Sequence, residues 1–351
     1  MKNNRSVTIG NKRIGVGMPV FIIAEAGVNH NGELSLAKKM VDVAADAGAD
    51  AVKFQAFRAD ELATVNAPKA EYQKRTAPGK SQFEMLKELE LSRSDLESLF
   101  DHCKKRGIIF LTTPFDPKSA LVLQEIGVSA FKISSGEITN DPLLSQVGGY
   151  GKPIILSTGM STLKEVRAAV NTIYESGNRK LVLLHCTSNY PARYEDVNLK
   201  AIDTLRAEFG VPAGYSDHAE GLEAACAAAA RGASVIEKHF TLDRNMPGPD
   251  HLSSIEPDEL KRMVRSIRNI ERSMGDGRKV MTANEAPVRM VARKSVVAEV
   301  DIPAGTVVRD DMLALKRPGT GIEPRLIGRV IGKRARRTIK RDTLLTWKML
   351  S

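Results

Sequence analysis

Short apolar runs alternate with longer amphipathic stretches between residue 20 and about residue 274, and this alternation restricts the folds open to the chain. The amphipathic stretches have helical periodicity, and several end at a glycine, the residue that commonly terminates a helix. The apolar runs have the length and the Val, Ile, Leu and Phe content of buried strands, and they cover residues 20–27, 51–57, 108–116, 130–137, 153–160, 181–191, 211–218 and 234–243. Eight strand–helix units over about 250 residues are typical of a (β/α)8 barrel.

A doubly wound open sheet is the alternative fold, and it usually places a glycine-rich phosphate loop after its first strand. Here the segment GVGMPV (15–20) precedes the first predicted strand. Polar side chains also gather at the carboxyl ends of the apolar runs, where barrel enzymes assemble their active sites. These side chains are Glu25, Lys53, Gln55, Thr113, Lys132, Ser135, Ser157, His185, His218 and His239. Both observations favour an α/β fold, a (β/α)8 TIM barrel over residues 1–276.

Residues 293–351 differ in character, because short β-branched runs alternate there with turn signals such as IPAGT and RPGTG. They contain fourteen Lys or Arg and six Asp or Glu, and so carry a net +8 of the chain's +10. We predict a small β-rich domain over 293–351, joined to the barrel by a polar linker over 277–292. Any argument about nucleic acid or acidic partners applies to this basic domain.

The sequence favours a cytoplasmic protein without a membrane segment. No apolar run approaches the roughly 18 residues needed to span a bilayer, and the start MKNNRSV is polar, with no apolar region of a signal peptide after it. Cys103, Cys186 and Cys226 are an odd and widely spaced set. They fit neither a disulfide framework nor a CxxC metal site, as expected for a chain of the reducing cytosol.

Two histidines end the seventh and eighth predicted strands, and adjacent strands of a barrel bring such residues together. Neutral imidazoles of His218 and His239 suit Mn, Fe, Co or Zn better than Mg or Ca. The alternative is that each histidine caps a loop and hydrogen-bonds a carboxylate. The pair, flanked by Asp217, Glu237 and Asp250, favours a metal site with positions open to water or a substrate oxygen.

Lysine and hydroxyl side chains at successive strand ends form a candidate anion site. Lys53 and Lys132 would compensate a phosphate and a carboxylate, and Thr113, Ser135 and Ser157 are hydrogen-bond donors. The hydroxyls are also common helix caps, so the lysines carry more of the argument.

Three further segments bear on the site. Glu25 ends a very apolar strand and is a candidate general acid or base. His30, in the turn that follows, is either a structural turn residue or a catalytic one. The run VIEKHFTLD (235–243) places Glu237 and His239 on one face by strand alternation, with Ile236 and Phe240 on the other. Lys238 has no evident role from sequence. The loop KRPGTGIEP (316–324) presents Arg317, either as an exposed basic turn or as a reader of an amide or carboxylate.

Long segments of the chain resemble the sialic acid synthases, most closely the bacterial N-acetylneuraminate synthases, over roughly residues 18–350. The segments that carry the resemblance are AEAGVNHNG, AVKFQ, APKAEYQ, TTPFD, KISSGE, ILSTGM, LLHCTSNYP, GYSDH, IEKHFTLD, GPDHLSSIEPDELK, VARKS and KRPGTGI. The resemblance implies a (β/α)8 barrel followed by a small antifreeze-protein-like (SAF) domain, which matches the predicted division of the chain.

The resemblance also implies a reaction and a set of site residues. The family condenses phosphoenolpyruvate with the open-chain aldehyde of N-acetylmannosamine and releases phosphate by C–O cleavage, as a transferase. By this resemblance His218 and His239 would hold a divalent metal, usually Mn2+, with Mg2+ or Co2+ as alternatives. Phosphoenolpyruvate would contact Lys53, Thr113, Lys132, Ser135, Ser157 and Ser188. The sugar and water would be handled by Glu25, Gln55, Glu137, Tyr190 and Asp250, with Glu25 or Glu137 as the base. Arg317 would come from the partner subunit of a domain-swapped homodimer.

Other functions stay open at this point. Synthases of legionaminic acid, which use 2,4-diacetamido-2,4,6-trideoxymannose, are the nearest alternative. A nucleic-acid-binding protein built on the basic domain is a distant one, because that domain has one Trp and no Phe or Tyr for stacking on bases. A non-catalytic sugar-binding barrel is the third.

Overall fold

A β-hairpin precedes the first predicted strand, and the sequence analysis did not predict it. In the computed structural model, which describes residues 6–69 and 79–351, strand β1 (Ser6–Ile9) pairs antiparallel with strand β2 (Lys12–Gly15). Ile9 and Ile14 are fully buried. The alternation of Val7, Ile9 and Ile14 with polar residues gives the hairpin one apolar face.

Eight parallel strands follow and form one sheet in the unit Met1–Met274. They are β3 (Phe21–Gly27), β4 (Ala51–Ala56), β5 (Ile109–Pro114), β6 (Phe131–Ile133), β7 (Ile154–Ser157), β8 (Leu181–Cys186), β9 (Ala213–Asp217) and β10 (Val235–His239). Their order in the sheet is β5-β4-β3-β10-β9-β8-β7-β6, and β5 and β6 at the two ends are also neighbours. The predicted (β/α)8 barrel is confirmed.

Helices surround the sheet, and their caps explain several of their boundaries. Ser92, Asp116 and Thr162 each accept a hydrogen bond from a backbone N–H of the first turn, and Gly107 ends its helix at φ 70°. The described helices of this unit are Leu34–Asp46, Ala59–Leu62, Gln82–Leu89, Arg93–Arg106, Pro117–Ile126, Asp141–Gly149, Leu163–Glu175, Tyr194–Val197, Ala201–Phe209, Glu223–Ala230 and Pro257–Ser273.

Strand alternation divides the apolar residues into an inner and an outer cluster. Val235 belongs to the inner cluster, together with other residues near the starts of the barrel strands and with the hairpin residues Ile9 and Ile14. Ile236 and Phe240 belong to the outer cluster, which packs on the helices. The hairpin therefore closes the amino end of the barrel, and the polar residues at the carboxyl ends of the strands are left to line a site.

The second unit, Gly275–Ser351, has its own small core. Strand β11 (Ser295–Ala298) pairs antiparallel with β12 (Leu313–Lys316), and Val296, Ile302 and Leu345 are among the residues buried beside them. The helices are Glu285–Ala292 and Ile327–Val330. The first of these lies in the segment 277–292 that the sequence analysis treated as a linker.

The helices of the described residues do not combine the length and the hydropathy that crossing a bilayer requires. The predicted cytoplasmic location stays a prediction.

Candidate active site

A cavity of about 490 Å³ opens at the carboxyl ends of the barrel strands. The inner positions near the strand starts are filled by the apolar cluster, and the inner positions near the strand ends carry polar side chains that face this space. The predicted site residues that line the cavity are Glu25, Lys53, Gln55, Thr113, Lys132, Ser135, Ser157, Ser188, Tyr190, His218, His239 and Asp250.

Two lysines and two glutamates form a buried charge cluster on the cavity floor. Lys53 Nζ lies 2.7 Å from Glu25 Oε2 and 3.9 Å from Glu237 Oε2. Lys132 Nζ lies 3.7 Å from the other oxygen of Glu237, Oε1. All four side chains are at most 5% exposed. Glu237 therefore lies between the two lysines and interacts with both of them. Strand alternation had already placed Glu237 on the same face of its strand as His239.

Hydroxyl groups complete the surroundings of the two ammonium groups. Lys53 Nζ donates to Thr113 Oγ1 at 3.1 Å, and Lys132 Nζ donates to Ser157 Oγ at 2.6 Å. Ser216 Oγ donates to Glu237 Oε1 at 2.8 Å. The sequence analysis did not select Ser216, although it is an inward position on β9, two residues before His218.

The two glutamates have opposite pKa shifts. Burial raises the pKa of Glu25 to about 7, with Lys53 opposing the shift and Glu237 adding to it. Burial also acts to raise the pKa of Glu237, but Lys132 and Lys53 outweigh it and lower this pKa to about 2. Glu237 is thus ionised at neutral pH, while the raised pKa of Glu25 suits it to proton transfer near neutral pH.

The two predicted metal ligands face the same cavity. The ring centroids of His218 and His239 are 5.5 Å apart. His218 Nδ1 lies 2.8 Å from the carbonyl oxygen of Thr187 and must donate to it, so Nε2 carries the lone pair, 3.2 Å from the Tyr190 hydroxyl. His239 Nδ1 is buried and has no hydrogen-bond partner among the described residues.

Both imidazoles are neutral at physiological pH. Burial lowers the pKa of His218, and burial together with His218 and Lys53 lowers that of His239 well below its usual value. Neutral imidazole is the form that binds a metal. Among the described residues, groups of three or more His, Cys, Asp or Glu able to hold a metal ion do not occur. The protein therefore offers a pair of ligands here.

A small niche of hydroxyl and thiol groups lies beside Lys132. Ser135 Oγ accepts from the backbone N–H of Gly159 at 2.9 Å and lies 3.1 Å from Cys186 Sγ. A Cβ atom at Gly159 would lie only 2.3 Å from Ser188 Oγ, so glycine is required for this close approach. The sequence analysis named Cys186 only as one of three widely spaced cysteines and did not place it in the site.

One side of the cavity is apolar. Met85 and Leu89 of the helix Gln82–Leu89 pack with Val28, and Leu62, Leu86 and Phe115 lie against this cluster. All six side chains also line the cavity. We call them the apolar wall. Sequence analysis did not find it, because the wall combines loops and helices that are far apart along the chain.

Several predicted residues lie elsewhere. Glu137 is not among the described residues that line the cavity. It belongs to the turn Ser135–Glu137, and its carboxylate accepts a hydrogen bond from Asn140 Nδ2 at 2.7 Å. Arg317 lies exposed in the second unit. His30 is fully buried and accepts from the N–H of Gly32, as a turn residue does. Residues 70–73 of the segment APKAEYQ lie outside the described residues.

Comparisons with known proteins give this barrel and its cavity a class, the transferases of the sialic acid synthase type. The family model described as NeuB family matches residues 40–279, and the model described as SAF domain matches residues 293–351. The chain belongs to the NeuB family. The predicted family, the barrel followed by an SAF domain, and the enzyme class are confirmed.

Two relatives that match nearly the whole chain are named for a more particular activity within this family. The chain is 49% identical, over 99% of each protein, to the N,N'-diacetyllegionaminic acid synthase of Legionella pneumophila. It is 48% identical to the synthase of the same name from Campylobacter jejuni, over 93% of this chain and 98% of that protein.

A solved structure is similar as well. The N-acetylneuraminic acid (sialic acid) synthetase of Leptospira borgpetersenii, in complex with citrate, superposes with a TM-score of 0.71 and 39% identity, over 81% of this chain and 95% of that one.

Proposed function

We propose that the chain condenses phosphoenolpyruvate with 2,4-diacetamido-2,4,6-trideoxymannose to form N,N'-diacetyllegionaminic acid and phosphate. The observation that carries the choice of sugar is the similarity, over nearly the full length, to two synthases named for this product. The legionaminic alternative of the sequence analysis therefore takes precedence over N-acetylmannosamine, the substrate that the sequence analysis favoured.

The charge cluster supports phosphoenolpyruvate as the second substrate. Glu237 compensates one of the two lysine charges, and Glu25 compensates the other only when it is ionised. An entering phosphate and carboxylate would meet two buried ammonium groups and the hydroxyls of Ser135, Ser157 and Ser188. Charge-assisted hydrogen bonds in a buried site make this arrangement selective for a multiply charged anion.

The histidine pair fits a divalent metal, Mn2+ by resemblance, with Mg2+ or Co2+ as alternatives. His218 Nδ1 donates to Thr187 O, as metal-bound histidines commonly do, so the lone pair of Nε2 faces the cavity beside the Tyr190 hydroxyl, which a metal would displace as its partner. His239 has a buried nitrogen without a partner among the described residues. When bound, the metal would polarise the aldehyde oxygen of the sugar as a Lewis acid.

Proton transfer and orientation fall to the other side chains. Glu25, with a pKa near 7, is suited to take the proton of the water that adds to C2 of phosphoenolpyruvate. Glu137, the other predicted base, does not line the cavity. Gln55, Tyr190 and Asp250 line the cavity and would hold sugar hydroxyl and amide groups.

The apolar wall favours a sugar that carries a methyl group at C6 instead of a hydroxymethyl group. A methyl group at C6 gains by leaving water and packing on Leu62, Met85 or Leu86, whereas a hydroxyl in the same place loses its hydrogen bonds to water. A substituent of this kind changes selectivity by about 1–3 kcal/mol.

The proposal extends to a homodimer in which Arg317 of the second unit contributes to the active site of the partner. Exposed apolar side chains support such an assembly. Val280, Val288, Met290 and Val291 are each more than half exposed in the described residues. Apolar groups grouped in one short segment are typical of interaction surfaces.

Phosphate release from phosphoenolpyruvate tests the proposal, with a panel of hexoses and with Mn2+ restored after chelation. We expect the highest kcat/KM with 2,4-diacetamido-2,4,6-trideoxymannose and no turnover without metal. A higher kcat/KM with N-acetylmannosamine would overturn the choice of sugar. Phosphate release with none of the sugars would overturn the reaction.

A further inference from the structure

Lys238 is a fully buried lysine on the side of β10 that faces the helices, away from the cavity. Its neighbours on that side are Ile236 and Phe240 of the outer cluster. Its Nζ lies 2.7 Å from Asp217 Oδ2 and donates to the carbonyl oxygen of Ala219, also at 2.7 Å. The side chains of Lys238 and Asp217 are 2% and 0% exposed.

Asp217 uses its second carboxylate oxygen as well. Oδ1 accepts from the N–H of Ala219 at 2.9 Å and from the hydroxyl of Tyr215 at 3.1 Å. Burying two charges costs several kcal/mol per ion, and only complete hydrogen bonding offsets this. An apolar pair would fill the same space without that cost, so the fold by itself does not explain why the pair is ionic.

The position of the pair points to its role. Lys238 and Asp217 are directly opposite each other in the register of β10 and β9, and theirs is the last such pairing between these strands. The next residues of the two strands are His239 and His218, whose side chains turn to the opposite face and line the cavity. The Asp217–Lys238 pair thus joins the two strand ends immediately before the two histidines.

The backbone after this pairing has other partners on each side. The carbonyl of His218 accepts from Ala192 N at 2.8 Å, and His239 pairs with Glu25 on β3. The ion pair therefore adds a side-chain link between the two strands at their last backbone pairing, beyond which each histidine has a different neighbour.

We propose that Asp217 and Lys238 are positioning residues that set the separation of His218 and His239 and thereby the affinity of the site for a divalent cation. This inference rests on the proposed function, since it assumes the two-histidine metal site. It predicts that a variant lacking both charges still folds but binds a divalent cation with lower affinity.

The test uses the full-length protein and measures Mn2+ affinity by calorimetry or electron paramagnetic resonance, beside thermal unfolding. Single variants such as Lys238→Met leave a buried carboxylate unpaired and are expected to lose stability. The double variant Asp217→Leu/Lys238→Met removes both charges and is expected to fold, because apolar replacement of buried ion pairs is commonly tolerated. We expect its Mn2+ affinity to fall by about 10- to 100-fold, the usual effect of losing groups that orient metal ligands.

A matched control is the partly buried Arg268–Asp50 pair of the same barrel, with a distance of 2.7 Å between Nη2 and Oδ2. Arg268→Met is expected to lower stability and leave Mn2+ affinity unchanged. A folded double variant with wild-type Mn2+ affinity would overturn the positioning role while leaving the proposed function intact. Wild-type protein whose Mn2+ binding does not depend on His218 and His239 would overturn both.

Discussion

The two units of the chain hold the same ionisable residue types in opposite surroundings. In the barrel cavity, the side chains of Lys132 and Glu237 are 3% and 5% exposed. In the second unit, the paired side chains of Lys340 and Asp301 are 74% and 54% exposed, although their atoms are only 2.8 Å apart. Distance alone therefore does not distinguish an ion pair of the active site from one of the surface.

Burial makes the difference between them. Water and salt screen an exposed pair, so its members act almost independently. In the cavity each charge has lost its hydration, and removing one member leaves the others uncompensated. The comparison predicts large effects of substitution in the cavity and very small ones in the second unit.

The largest effect is expected at His239. His239→Ala removes one of the two proposed metal ligands, and we expect turnover to be abolished while the fold is kept. Phosphate release and circular dichroism measure the two properties. His102→Ala is the control, because His102 lies on the helix Arg93–Arg106 and pairs with Asp42. Wild-type turnover in the His239 variant would reject the metal assignment.

Substitution of Glu237 is expected to have the next largest effect. Glu237→Gln keeps the shape but leaves Lys53 and Lys132 without their shared anion, which costs about 3–5 kcal/mol of stability by analogy with other broken buried pairs. Added phosphoenolpyruvate should restore part of this, because a bound anion compensates the lysines and binds only the folded state. Thermal unfolding with and without phosphoenolpyruvate is the measurement. An unchanged unfolding temperature in the absence of ligand would contradict the compensating role.

The pH dependence of stability tests Glu25. Burial raises the pKa of Glu25 from 4.5 to about 7, so the folded protein keeps a proton between these pH values that the unfolded chain has released. The stability from this proton is complete below about pH 4.5 and is lost as the pH rises through 7. We expect Glu25→Gln to flatten the fall in unfolding free energy over this window. Glu88→Gln, in an exposed pair with Lys80, is the control for removing a surface carboxylate.

The smallest effect is expected at the surface of the second unit. Lys340→Ala removes an ion pair with Asp301 that water already screens. We expect no resolvable change in unfolding temperature at low salt, and none at high salt. A clear loss of stability that disappears with added salt would show that surface charges matter more here than the comparison allows.

Much of the barrel could be predicted from sequence because its signals are local. Apolar runs with period-two alternation identify strands, and the same alternation assigns Lys53, Lys132 and His239 to the inner face. The hairpin of β1 and β2 escaped prediction because its strands are only four residues each and contain Lys12 and Arg13. Short segments of this kind depend on contacts with the rest of the barrel.

Which side chains enter the barrel and which face the helices could be read from the sequence, because alternation is a property of the strand backbone. The partners of those side chains could not be read in this way. Asp217 lies on a neighbouring strand from Lys238, and Glu237 meets lysines from β4 and β6. Such pairings depend on the register and closure of the sheet, and these follow from packing summed over the whole barrel rather than from any local pattern.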